Sequence, residues 1–74
     1  MDVNNLVRMA NQIGAFFDSM PDRPQAVADV AAHLQRFWDP RMRRELLRHV
    51  KEQGGVELRQ IVLDAVREHM GKTR

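Results

Sequence analysis

The chain has 74 residues, a formal net charge of +2 and no cysteine. That length allows one domain, 1–74, which buries only about 60% of the surface of its unfolded chain, so stability must come from very good helix packing or from a partner. The missing cysteines exclude disulfides, thiolate metal sites, iron–sulfur ligation and cysteine nucleophiles, and no leader segment or run of about 20 apolar residues is seen, so the expectation is a soluble, cytoplasmic protein.

Leu6, Met9, Ile13, Phe16, Phe17 and Met20 recur every three or four residues and predict a first helix with these side chains inward, capped by Asp2 or Asn4. Gly14 interrupts it at a cost of roughly 1 kcal/mol against Ala and suggests close approach of another backbone. The two phenylalanines widen the apolar stripe, so one edge of it is expected to stay uncovered. Met20-Pro21-Asp22-Arg23-Pro24-Gln25 then stops one helix and starts the next, with Asp22 as cap and Gln25 at the capping-box spacing.

The second helix should run to about Trp38, with Val27, Val30, Ala31, Leu34, Phe37 and Trp38 inward and Ala26, Ala28 and Ala32 keeping it slim. It is the expected central helix. Asp39-Pro40 ends it and caps the third helix, Pro40 to about Gln53, whose inner face is Met42, Leu46, Leu47 and Val50. Gly54-Gly55 reads as a short flexible turn. A fourth helix is expected from about Val56 to Met70, with Leu58, Ile61, Val62, Ala65, Val66 and Met70 inward, Glu57 near its start, Gly71 ending it and a frayed tail beyond. The fold class is therefore all-α, a small compact bundle of about four short helices.

The helix corner at Arg36–Arg44 places Phe37 and Trp38 beside Arg41, Arg43 and Arg44, a mixture of aromatic and guanidinium groups typical of interface centres. Charge is regional. Residues 1–35 carry Arg8 and Arg23 against Asp2, Asp18, Asp22 and Asp29, a balance of −2; residues 36–51 carry Arg36, Arg41, Arg43, Arg44, Arg48 and Lys51 against Asp39 and Glu45, a balance of +4. Arg41, Arg44, Arg48 and Lys51 form a basic ridge along the third helix, suited to an acidic protein surface, a phosphate or nucleic acid, or simply to solvent.

Catalytic patterns are absent. His33, His49 and His69 lie on different predicted helices without the i, i+4 pairing of a metal site and read as core-edge residues; Asp18, Asp22 and Asp39 fall at helix ends, where caps are expected; and Gly54-Gly55 lacks the flanks of a phosphate loop. A helix-turn-helix reader would need its cations after the turn, whereas they precede it here, so a small basic nucleic-acid-binding protein is only the alternative reading.

Arg8-Met9-Ala10-Asn11-Gln12-Ile13-Gly14 with Phe16-Phe17, Ala26-Val27 through His33-Leu34, and Arg36-Phe37-Trp38-Asp39-Pro40-Arg41-Met42-Arg43 together resemble the delta subunit of the cytoplasmic NAD-dependent, molybdenum-containing formate dehydrogenases. The resemblance covers about Leu6 to Val66. Arg59-Gln60 departs from the acidic-Pro pair that this family tends to carry there, which bears on the start of the fourth helix. The resemblance implies a noncatalytic accessory subunit that binds no cofactor itself. It implies as partners a catalytic alpha subunit holding bis-molybdopterin guanine dinucleotide and iron–sulfur clusters, and through it beta and gamma subunits handling FMN, NAD and further clusters. The implied role is assembly or molybdenum-cofactor maturation. The residues expected to dock are Phe37, Trp38, Arg41 and Arg43 at the centre with Arg36, Arg44 and Arg48 around them, and Asn11, Phe16 and Phe17 as a second patch. The ridge could instead touch the cofactor's pyrophosphate, and the isolated chain could form a homo-oligomer.

Overall fold

The computed structural model describes residues 2–70; the expected helix stop at Gly71 and the tail after it lie outside them. The chain forms α1 (Val3–Asp18), α2 (Arg23–Phe37), α3 (Pro40–Gln53) and α4 (Gln60–Ala65), the last running straight into a π-helical turn over Val66–Met70. No strand occurs among the described residues. The expected all-α class and four-helix count hold.

Three of the starts follow from short acidic side chains. The carboxylates of Asp2, Asp22 and Asp39 accept from the backbone N–H groups of Asn4, Gln25 and Met42 at 3.0, 3.2 and 3.0 Å, each from extended backbone, and such caps stabilise a helix by about 1 kcal/mol. Only half of the expected capping box forms at α2, because the Gln25 amide reaches forward to Asp29 and not back to the cap. Asp18 is no cap at all: it sits in the last turn of α1 and pairs with arginines.

At the other end of α3, Gly54 takes φ 78° and Gly55 φ 66°, values that disfavour any side chain. A Cβ on Gly55 would lie 2.5 Å from Leu63 Cδ2, so the turn expected to be flexible is a packed one. This packing moves the start of α4 from the expected Val56 to Gln60. The two glycines fold the chain back, Leu58 donates its N–H to the Gly55 carbonyl at 3.0 Å and buries its side chain, and Val56 is left exposed.

Leu34, Leu46, Ile61, Val30, Val62 and Val66 fill the centre of the core. α2 packs against α1, α4 and the π-helical turn, but α1 meets all three other helices and shares the central place expected of α2 alone. The buried face of α1 is Leu6, Val7, Ala10 and Gly14, rotated from the expected stripe; Met9, Ile13 and Phe17 are half-buried, and Phe16 and Met20 are exposed. Gly14 explains the rotation. A Cβ there would stand 2.7 Å from Val62 Cγ2 and 3.1 Å from Ile61 Cγ2, so α4 seats its side chains, and not its backbone, in the notch that the glycine leaves. The radius of gyration, 11.1 Å, is that of a folded chain of this length, about 11 Å, so the chain closes its core with its own side chains.

Candidate docking surface

The helix corner does not present Phe37 and Trp38 together. α2 ends at Phe37, and Trp38 leaves helical geometry at φ −92°, ψ 138°, which turns its indole inward while Phe37 stays on the outer wheel of α2. Trp38 is 5% exposed and Phe37 is 65% exposed. The expectation of Trp38 as a surface anchor is corrected: the indole is a core residue.

Arg43 is also committed within the fold. Its Nη1 donates to the carbonyls of Trp38 and Gln35 at 2.6 and 2.9 Å, neutralising acceptors that the end of α2 leaves without helical partners. Asn11 is a second internal staple. It accepts from the Arg59 N–H at 2.8 Å and donates to the Glu57 carbonyl at 3.0 Å, supplying the start of α4 with the cap that Arg59 lacks. Both residues are expected to face a partner; here the Asn11 amide and Nη1 of Arg43 bond within the fold.

The basic ridge is partly neutralised by its own helix. Arg48 pairs with Glu45 at 3.5 Å and with Glu52 at 3.3 Å, whereas Arg41, Arg44 and Lys51 are exposed with no ion pair among the described residues. Arg44 borders an open cleft of about 600 Å³ shared with Gln35, Leu47, His69 and Met70. Away from α3, Asp18 takes Arg23 at 2.6 Å and Arg59 at 3.1 Å and so ties together α1, the start of α2 and the start of α4. The Arg23 hydrogen bond, with the Arg59 charge adding to it, holds the Asp18 carboxyl below the usual carboxylate range.

What the fold brings together instead is an aromatic chain across α1 and α2. Phe16 meets Phe17 edge-on at 5.0 Å between ring centres, Phe17 meets His33 at 6.2 Å, His33 meets Phe37 at 4.7 Å, and the Arg36 guanidinium lies 5.5 Å from the centre of the Phe37 ring. Phe16 is 73% exposed. Beside this chain runs a groove of about 420 Å³, walled by Met9, Ile13, Phe16, Phe17 and His33, with Gln12 at its edge and the buried Trp38 at its floor. The two patches expected separately at Phe16-Phe17 and at Phe37 are one surface. His33 joins them. The i, i+4 spacing of His33 and Phe37 carried part of that signal; the Phe17 contact did not show in the sequence.

The chain has no cysteine, no group of three His, Asp or Glu side chains that could hold a metal ion converges among the described residues, and no polar residue among them is buried. No helix among them is long and apolar enough to cross a membrane. A family model described as NADH-dependent formate dehydrogenase delta subunit FdsD matches residues 5–66. No curated protein and no solved structure matches the chain.

Proposed function

This chain belongs to the NADH-dependent formate dehydrogenase delta-subunit family, and from that premise we propose that it is a noncatalytic, cytoplasmic accessory subunit that docks on the catalytic alpha subunit. Through it the chain meets the beta and gamma subunits, and it supports assembly of the complex or maturation of its molybdenum cofactor. Bis-molybdopterin guanine dinucleotide, iron–sulfur clusters, FMN and NAD belong to those partners in this reading.

The observation that carries it is the family match over most of the chain, 5–66. The exposed rings support it. A small soluble domain that closes its own core has no need to leave two phenylalanines in water, and apolar surface of that kind, bordered by arginine, is what a partner covers. No constellation of nucleophile, base or paired carboxylates accompanies it.

A tagged chain should be recovered from its own cells, grown with formate and molybdate, together with a large molybdenum-containing formate dehydrogenase in constant ratio. Recovery of no protein, or of nucleic acid that high salt releases, would overturn the reading and favour a small nucleic-acid binder using Arg41, Arg44 and Lys51.

A further inference from the structure

Taking that reading as its premise, we infer that the partner meets this chain through the α1–α2 aromatic groove, and that the segment it lays there is apolar with a carboxylate placed to reach Arg36. The basic ridge of α3 stands outside this contact. Three observations converge on the groove. Phe16 lines it and Phe37 meets its wall at His33; these are two of the most exposed large apolar side chains, and Phe17 and His33 bridge the rings between them. Its floor is rigid, because Trp38 at the bottom is part of the core, so an inserted side chain meets a preformed surface.

One cation beside the rings is unspent. The Arg36 guanidinium lies over the Phe37 ring, 5.5 Å from its centre, and has no ion pair among the described residues. Of the carboxylates on neighbouring turns, Asp18 is neutralised by Arg23 and Arg59, and Asp29 accepts from the neutral Gln25 amide and forms no ion pair with Arg36. A guanidinium placed over an exposed ring and left without a carboxylate favours a segment whose own carboxylate lands beside its apolar anchors. A single cation does not make the continuous basic track that a nucleic-acid strand stacked on the rings would need.

The test places a photo-crosslinking amino acid at Phe16, Phe37 or Arg44, one at a time, in the full chain, and measures co-purification with the tagged alpha subunit for Phe16→Ala with Phe37→Ala, for Arg36→Glu, and for Arg41→Ala with Arg44→Ala. Positions 16 and 37 should capture one alpha-subunit peptide rich in apolar residues and containing Asp or Glu, and position 44 should not. Truncating both rings should weaken co-purification by about tenfold or more and Arg36→Glu by severalfold, with the helical circular dichroism kept, while the α3 pair stays at the wild-type level. Capture at 44 in place of 16 and 37, capture of a peptide without a carboxylate, or capture of nucleic acid would overturn the inference. So would crosslinks between two copies of this chain with co-purification unharmed, since a second copy would then be the occupant. In each of the protein cases the subunit reading survives if the wild-type chain still co-purifies; if it does not, that reading fails as well.

Discussion

Phe37 and Trp38 are adjacent in the chain and opposite in environment, which gives them opposite expected effects. Removing the Trp38 side chain leaves a large void in a close-packed core and should cost about 3–5 kcal/mol. A chain of this size holds only roughly 4–11 kcal/mol of stability in all, so Trp38→Ala should lose most of its cooperative melt. Phe37→Ala removes a mostly exposed ring and should cost under about 1 kcal/mol. Thermal melts followed by circular dichroism separate the two. Equal losses would mean that Phe37 is as much a core residue as Trp38. Asn11, Arg43 and Asp18 show the same lesson in polar form: an exposed-looking amide, guanidinium or carboxylate is claimed by groups on other elements, at 2.6–3.1 Å.

At the scale of elements, besides the Asn11 hydrogen bonds, α1 is fastened to its neighbours by the notch at Gly14 and by the Asp18 ion pairs. The pH dependence of the second follows from its sign. The Asp18 carboxyl is held below its ordinary range in the folded chain, so its contribution is present above the unfolded-state value and is lost as pH falls through the lower folded value. The melting temperature of the wild type should therefore drop more between neutral pH and about pH 3 than that of Asp18→Asn, which has already lost the pairing. Parallel curves for the two proteins would mean that the paired carboxylate contributes nothing measurable, as many exposed ion pairs do. The helix starts were legible in the sequence because a cap is a local interaction, decided within three residues by Asp2, Asp22 and Asp39. The start of α4 was not, because its cap comes from Asn11, 48 positions away in the chain.

For the whole molecule, a core closed by residues of all four helices predicts that the isolated chain is helical and unfolds in one cooperative transition without any partner. Adding the proposed alpha-subunit partner should then raise the melting temperature, since a partner that takes only the folded chain shifts the equilibrium by mass action. A broad, non-cooperative melt of the free chain would show that the partner is needed to complete the core. Read along the chain alone, the helical class, three of the four helix starts, the stop at Gly54 and most of the inward faces of α2 to α4 were already decided, since periodicity and capping act over a few residues. The family was legible too, through runs such as Arg36 to Arg43. Tertiary structure decided which apolar residues of α1 go inside, that Trp38 leaves the surface while Phe37 stays on it, and that Phe16, Phe17, His33 and Phe37 form one chain of rings. The reason is physical: a helical wheel gives the width of an apolar stripe but not its depth, and only the approach of a second helix, here α4 at Gly14, chooses which edge is covered.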